Sequence, residues 1–201
     1  MKNKFLYHIM FFLLVAINLY SQKTTKDNFT FLVQKEEGDL NNDKQIDKVV
    51  LEMDLIDETG PLRLQIFLSK PNKQIQLAVS STKLIENQYP VDKKGEHNGN
   101  PIPDFYIEDG NLVMLTDIEN RKSRYEFRYK QNNFELTKIS RVKWDGKNTT
   151  SETNINLLTN TKIEFNQELG SDKVLNKKKI IMKVNKLPKI QDLSFSDLEN
   201  F

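Results

Sequence analysis

The strand pattern of this chain is clearest in residues 62–69, which read Leu62-Arg63-Leu64-Gln65-Ile66-Phe67-Leu68-Ser69. Leucine or isoleucine stands at positions 62, 64, 66 and 68, whereas arginine, glutamine and serine stand at 63, 65 and 69. Because successive side chains of a strand point to opposite faces, a period of two is typical of a β-strand with one buried and one solvent-facing side. Residues 62–69 therefore predict such a strand.

The same period recurs along the chain, and turn-forming residues separate the segments that have it. Apolar positions alternate within residues 75–79, 125–129, 155–165 and 180–184, whereas residues 112–115 are continuously apolar and predict a central strand covered on both faces. The separating pairs are Pro71-Asn72, Asp109-Gly110, Asn132-Asn133 and Asp145-Gly146. Asp-Gly in particular is a strong signal for a two-residue hairpin.

These patterns predict an all-β fold, in which an antiparallel meander forms a sandwich or a partly closed barrel. Residues 196–199 have the spacing of a capping box, which predicts a short helix at the C-terminus. No long stretch has the period of an amphipathic helix. We expect a single β-rich domain over residues 22–201, because that length suffices for one core.

The first 21 residues have the layout of a secretory signal peptide. Lys2 and Lys4 precede a mostly apolar run over residues 5–20, and the small Ser21 favours cleavage before Gln22 or one residue later. The run is shorter than the roughly 20 apolar residues of a membrane-spanning helix, which is the alternative. We therefore expect an exported protein, periplasmic or extracellular, that meets a membrane only through this signal helix before cleavage.

Composition excludes several classes of function. The 201 residues include no cysteine, which excludes disulfides, thiolate metal sites and a cysteine nucleophile. The chain has 30 basic and 28 acidic residues, and loss of residues 1–21 removes two lysines, so the mature chain is formally neutral. Neutrality argues against a nucleic-acid partner. The remaining histidine, His97, lies in a polar loop without a nucleophile motif, and we expect it to be solvated.

The clearest chemical motif lies in residues 38–50, which read Gly-Asp-Leu-Asn-Asn-Asp-Lys-Gln-Ile-Asp-Lys-Val-Val. Oxygen-bearing side chains recur there in the pattern D-x-N-x-D-x-Q-x-D. Ca²⁺ takes several hard oxygen ligands from a flexible loop, and clustered carboxylates repel one another unless a cation neutralises them. The predicted metal ligands are the side chains of Asp39, Asn41 and Asp43, the main-chain oxygen of Gln45, and Asp47, directly or through water.

The loop differs from an EF-hand at two positions. Lys44 stands where an EF-hand has glycine, and Val50 stands where it has a bidentate glutamate. The segment that follows is strand-like rather than helical. Ile46 is expected to point away from the cation and to fix the loop to the core. An Asx-rich turn that binds no ion is the alternative interpretation.

Residues 38–51 resemble the calcium loop of FG-GAP/VCBS-type blades, in which a GDLNGDG-x-x-D pattern precedes a hydrophobic strand. In that family the acidic loop positions bind Ca²⁺, and the resemblance assigns them here to Asp39, Asn41, Asp43 and Asp47. A propeller needs several blades, and one loop of this kind excludes it. With the hairpin of residues 125–136, the chain looks like exported bacterial proteins of unknown function that carry a single DxNxDxxxD loop.

Two further segments have alternative interpretations. Residues 173–189 contain seven lysines, which suit an acidic polymer or an anionic lipid, although such lysines more often solvate an edge strand and prevent edge-to-edge pairing. Tyr125, Phe127 and Tyr129 alternate with basic residues, as in a base-stacking platform. Alternating aromatic residues on a strand usually face the core, however, and we expect that here.

These features lead to three hypotheses about function. The first is an exported, non-enzymatic β-domain with a Ca²⁺-supported loop that binds an unknown protein or glycan. The second is a carboxylate-based hydrolase acting on glycans, although the sequence does not single out a catalytic pair. The third is an inhibitor or immunity-type protein with one protein partner.

Overall fold

The structure is a computed structural model that describes residues 27–201, so the predicted signal segment 1–21 lies outside the described residues. The strands within this range are β1 (Phe29–Gly38), β2 (Asp47–Asp54), β3 (Leu62–Ser69), β4 (Ile75–Ser81), β5 (Asp104–Glu108), β6 (Asn111–Ile118), β7 (Arg121–Lys130), β8 (Asn133–Trp144), β9 (Thr149–Asn156), β10 (Thr161–Glu168) and β11 (Val174–Ile181). Two 3-10 turns span Val91–Lys93 and Ile190–Asp192, and the helix α1 spans Phe195–Glu199.

The strands form two antiparallel sheets. The first sheet contains β1 to β4 and the second contains β5 to β11, and within each sheet every strand pairs with its neighbours in the chain. The sheets are arranged as a sandwich and do not close into a barrel, which confirms the predicted all-β meander. Short turns make this order possible: Asp109 and Gly110 both have the positive φ, 50° and 72°, that a two-residue hairpin requires.

The core lies between the first sheet and part of the second. Leu62, Leu64 and Ile66 are fully buried, which confirms the strand predicted from residues 62–69. They share one cluster with large buried side chains of the second sheet, which are Phe105, Met114, Tyr125, Phe127 and Phe134. Burial of each such side chain contributes about 1.5–3 kcal/mol. The aromatic residues at the centre of β7 therefore face the core, as expected.

Specific contacts close the edges of the sandwich. On one side, the Gln34 side chain of β1 pairs with the backbone of Phe105 in β5: its Nε2 donates to the carbonyl at 2.7 Å and its Oε1 accepts from the N–H at 3.0 Å. On the other side, the 3-10 turn Ile190–Asp192 contacts β4 and β8. The terminal strands β1, β4 and β5 are thereby covered, which limits pairing with other chains.

The second sheet has two halves that differ in burial. We name β5 to β8 the covered half, because these strands supply most of its core side chains. We name β9 to β11 the uncovered half: β9 buries Ile155, whereas β10 and β11 contain no buried residue. The edge of this half is β11, which is lysine-rich and interrupted by a bulge opposite Phe165. Bulges and lysines are common at exposed edges.

Some local features differ from the expectations. No strand is predicted over β1, because two irregularities in its register break the alternation. The β7–β8 turn is Gln131-Asn132, one residue earlier than predicted, and both residues have positive φ. The C-terminal helix is confirmed, but its N-cap is Ser194, and Asp197 completes the capping box. Among residues 27–201, no helix has both the length and the apolar composition needed to cross a bilayer.

Candidate functional site

The loop between β1 and β2 is fixed by two buried residues. Leu40 is 1% exposed and belongs to the core cluster, and Asp47 is fully buried. The Asp47 carboxylate accepts the Leu40 N–H through Oδ2 and the Ser69 N–H through Oδ1, both at 2.9 Å. A single buried carboxylate thus joins the two ends of the loop to the end of β3.

The expectation that Ile46 fixes the loop to the core is wrong. Its side chain is 62% exposed. Asp47, Val49 and Leu51 lie on the inner face of the first sheet, so the residue just before Asp47 falls on the outer face. Leu40 performs the anchoring role instead.

Asp39 is the hydrogen-bonded centre of the loop. Its carboxylate accepts the N–H groups of Asn41, Asp43 and Lys44 at 3.3, 3.2 and 2.8 Å. Desolvation alone raises the pKa of Asp39, but these donors outweigh it and hold the pKa below the ordinary value of 3.8. Asp39 is therefore ionised at neutral pH.

Asn41 and Asp43 lie side by side above this centre. Asn41 Nδ2 donates to Asp43 Oδ2 at 3.1 Å, and the Gln45 N–H donates to Asp43 Oδ1 at 2.8 Å. The turn requires positive φ at Asn42 (61°) and at Lys44 (65°). Lys44 thus adopts the backbone conformation for which an EF-hand uses glycine, at a cost of about 1–2 kcal/mol.

Asp47 differs from the other loop carboxylates because it is buried. Desolvation raises its pKa above 3.8 despite the N–H groups of Ser69 and Leu40, and the negative charges of Asp43 and Asp39 raise it further. A cation in the loop would oppose both effects, because it favours the ionised carboxylate.

Two residues from the second sheet lie next to the loop. Desolvation, followed by the charges of Asp47 and Asp43, raises the pKa of the Tyr129 hydroxyl. The second residue is Gly110 in the β5–β6 turn, against which the Asn42 side chain of the loop lies. The Asn42 Oδ1 is 3.0 Å from the position that a Cβ on Gly110 would occupy. No local sequence signal marks either contact, because each joins residues from different sheets.

The five predicted metal ligands occupy one loop but have different surroundings. Asp39, Asn41 and Asp43 form a hydrogen-bonded cluster, Gln45 follows it, and Asp47 lies buried beneath. Among the residues that the structure describes, no group of three or more His, Asp or Glu side chains converges as a metal cluster. The predicted ligand set also includes the amide oxygen of Asn41 and the main-chain oxygen of Gln45, which such a cluster would not contain. Ca²⁺ binding therefore stays a prediction.

A groove of about 420 Å³ on the second sheet forms another candidate site. Its position follows from strand alternation: Met114 and Tyr125 point into the core, so Leu115 and Arg124 point to the outer face. Its apolar lining consists of Pro101, Ile102, Leu115 and Val142. Its polar lining consists of Asp104, Thr116, Asp117, Lys122, Ser123, Arg124 and Ser140.

The charged side chains of the groove differ in whether they already have partners within the protein. Arg124 is held by Tyr106, by Glu108 and, at 3.2 Å, by Glu126. Among residues 27–201, by contrast, no ion pair involves Asp104, Asp117 or Lys122. These three side chains are therefore available to a ligand. The sequence does not single them out, because strand pairing alone brings β5, β6 and β7 together.

His97 is exposed, as expected, and is used within its own loop. Its Nδ1 accepts the Gly99 N–H at 2.9 Å, its Nε2 lies 3.3 Å from Gln88 Oε1, and its ring packs edge-on against Tyr89. Both ring nitrogens are therefore occupied. This loop ends at Pro101 and Ile102, so its internal bonds help to position one end of the groove.

No family model matches the chain, and the comparisons with curated proteins and with solved structures found no similar protein. The class of the protein therefore rests on its fold, an all-β sandwich of two antiparallel sheets. The loop of residues 39–47 and the outer-face groove are the features of this fold on which we base a function.

Proposed function

We propose that this protein is an exported, non-enzymatic β-sandwich module that binds a glycan chain in the groove. The groove is the observation that supports this most directly, because binding sites are typically concave and apolar with a few convergent polar groups. The signal-like segment 1–21 supports export. The groove lies on the outer face of paired strands of the covered half, and the opposite face of these strands packs in the core, so the backbone that bears the groove side chains is fixed.

A glycan suits this groove because a sugar ring has an apolar C–H face and a rim of hydroxyl groups. Ile102, Leu115 and Val142 can pack against the ring face, while Asp117 and Lys122 can accept and donate hydrogen bonds at the rim. Trp144 lies two residues beyond Val142 on the same strand face and is 51% exposed. Its indole N–H donates to the Lys147 carbonyl at 3.1 Å, which fixes the ring as a platform for a second sugar.

Binding to immobilised oligosaccharides of varied composition tests this proposal. Val142→Asp puts a charge into the apolar lining, and Lys122→Ala removes a donor. We expect each variant to lose about tenfold or more in affinity, because the first replaces an apolar contact with a carboxylate that must lose water when the sugar packs on it, and the second removes a charged hydrogen bond. Lys143→Ala changes the next position, on the opposite face of β8, and should bind normally. Absence of any oligosaccharide ligand, or an equal loss in Lys143→Ala, would contradict the proposal.

The loop, we further propose, is a structural Ca²⁺ site formed by Asp39, Asn41, Asp43, the Gln45 main chain and Asp47. The supporting observation is electrostatic: Asp39 and Asp43 raise the pKa of the buried Asp47, so the folded loop contains repulsion that a cation would relieve. Because the loop joins β1 to β2, bound Ca²⁺ would stabilise the first sheet.

Thermal unfolding in EDTA and in millimolar Ca²⁺ tests the metal site. We expect Ca²⁺ to raise the midpoint of the wild type, with a stabilisation of about 2.7 kcal/mol at a hundredfold excess over the dissociation constant. The Asp39→Ala, Asp43→Ala double variant should show no such rise. An Asp92→Ala, Glu96→Ala variant removes the same charge from the exposed loop before β5 and should respond like the wild type. No midpoint change in the wild type would contradict the site.

One observation favours the alternative of a carboxylate-based glycan hydrolase: Asp104 and Asp117 both line the groove, and among the described residues neither forms an ion pair. Glycosidases use two such carboxyl groups. Release of reducing ends from a bound oligosaccharide, lost in Asp104→Asn and Asp117→Asn while binding persists, would establish catalysis. Binding without product would support the non-enzymatic module.

A further inference from the structure

We propose that the exposed edge of the second sheet binds a linear acidic polysaccharide. The site, which we name the lysine edge, consists of Lys177, Lys178 and Lys179 of β11, together with Lys183 and Lys186 in the segment that follows. It lies three strands from β8, about 14 Å away along the sheet. The proposal therefore depends on neither the groove nor the loop.

Positive charge is concentrated around this edge. Residues 149–189 contain eight lysines, no arginine and four acidic residues. Two of these acids already have partners: Glu164 lies 2.9 Å from Lys162, and Glu168 lies 3.4 Å from Lys173. Within the described part of the chain, the three consecutive lysines of β11 form no ion pair, and all three are exposed. This part of the chain thus has an excess of positive charge, although residues 22–201 as a whole are formally neutral.

The lysines point to both sides of the strand. Lys178 is opposite Glu164 and Lys179 is opposite Ile163, so these two side chains lie on opposite faces of the sheet. The bulge next to them includes Asn176, which has a positive φ of 54°. A chain of negative charges that lies along the edge can therefore reach lysines from both faces.

The same geometry argues against a further β-strand as the partner. The bulge interrupts the register of β11, and three consecutive lysines oppose the approach of another backbone. A strand would also need a regular row of free N–H and C=O groups, which the bulge disrupts.

A bilayer also fits this edge poorly, because membrane insertion needs one continuous apolar surface. The exposed apolar side chains are split between the two ends of β11: Ile181 at one end, and Leu169 and Val174 at the other. The lysines lie between them along an eight-residue strand, about 26 Å long. A linear polymer with repeated carboxylate or sulfate groups matches this row of charges.

Binding to immobilised polygalacturonate, with uncharged dextran as the reference polymer, tests the lysine edge. We expect the full mature chain to bind polygalacturonate at low salt and to lose affinity steeply as salt rises, because exposed charges are screened. The Lys177→Gln, Lys178→Gln, Lys179→Gln triple variant should lose about tenfold in affinity, because it removes three exposed ion-pair partners of the polymer. The corresponding triple Lys→Arg variant should retain binding, because it keeps the charge.

A matched control separates the edge from net charge. The control is a triple variant that removes the same charge from exposed positions elsewhere, Lys70→Gln, Lys73→Gln, Lys94→Gln. It should bind like the wild type. An unchanged thermal midpoint establishes that the edge variant folds. The proposal is overturned if the control loses as much affinity, if dextran binds equally, or if the wild type does not bind at low salt. Binding to phosphatidylglycerol vesicles without binding to polygalacturonate would overturn it in favour of a membrane contact.

Discussion

The covered and uncovered halves of the second sheet have the same alternating sequence pattern but differ in burial. In β7, Tyr125 and Phe127 alternate with polar residues and are fully buried. In β10, Ile163 and Phe165 alternate with polar residues as well, yet every residue of the strand is only partly buried. Alternation therefore specifies a strand, whereas the opposing sheet decides which strands become core.

This difference divides the functional surfaces of the molecule. The first sheet has four strands, and the core cluster places them against β5 to β8. The groove and the contacts to the loop lie on this covered half, whose buried strands resist local opening. The lysine edge lies on the uncovered half, where few apolar side chains oppose its motion or its contact with a partner.

Truncation of one phenylalanine in each half gives the largest expected contrast. Phe127→Ala leaves a cavity in the packed cluster and should reduce the free energy of unfolding by about 3–5 kcal/mol. Phe165→Ala removes a partly exposed ring and should cost about 1 kcal/mol. Chemical denaturation of both variants measures the difference. Equal losses would mean that β10 is packed as tightly as β7.

Two aspartates that make similar bonds in different surroundings give the next contrast. Asp47 accepts two backbone N–H groups while buried, and Asp145 accepts those of Lys147 and Thr149 while exposed. Asp47→Asn should lower the free energy of unfolding by about 1–3 kcal/mol. The introduced amide nitrogen would face a buried backbone N–H, which would then lack an acceptor. Asp145→Asn should cost much less, because water can bond the freed N–H. Denaturation midpoints that fall equally would contradict the role of burial.

The same two aspartates should respond to pH in opposite directions. Burial raises the pKa of Asp47, so the folded state binds its proton first, and its contribution to stability grows as pH falls through the raised pKa towards 3.8. The N–H groups of Lys147 and Thr149 lower the pKa of Asp145, so its contribution is present above 3.8 and is lost as pH falls through the lowered value.

Unfolding free energies measured from pH 7 downward, for the wild type and for each Asp→Asn variant, check both signs. The advantage of the wild type over Asp47→Asn should grow on acidification, and its advantage over Asp145→Asn should shrink. In the presence of Ca²⁺ the Asp47 effect should diminish if the loop binds the ion, because the cation lowers the pKa of that carboxyl.

Sequence reasoning identified the features that depend on near neighbours. Residues 62–69 alternate within one strand, so spacing alone predicts that strand, and Asp39 to Asp47 lie in one loop because they are close in the chain. It failed where the decisive partner is distant. Ile46 and Leu40 are both apolar loop residues, and only the position of β2 in the sandwich decides which is buried. The groove combines residues of four strands, and no local pattern marks it.

Two turn glycines give the smallest and most specific contrast between the halves. Gly110, in the covered half, and Gly170, in the uncovered half, have nearly equal φ of 72° and 74°. Alanine at either position should cost about 1–2 kcal/mol from backbone strain alone. At Gly110 the new Cβ would also lie 3.0 Å from Asn42 Oδ1, whereas nothing lies within 4 Å at Gly170. Gly110→Ala should therefore be less stable than Gly170→Ala by about 0.5–1 kcal/mol.

The Gly110→Ala, Asn42→Gly double variant should remove this excess, because it removes the side chain that the Cβ meets while glycine keeps the positive φ of position 42. If the excess persists in the double variant, the β5–β6 turn is strained for a reason other than its contact with the loop.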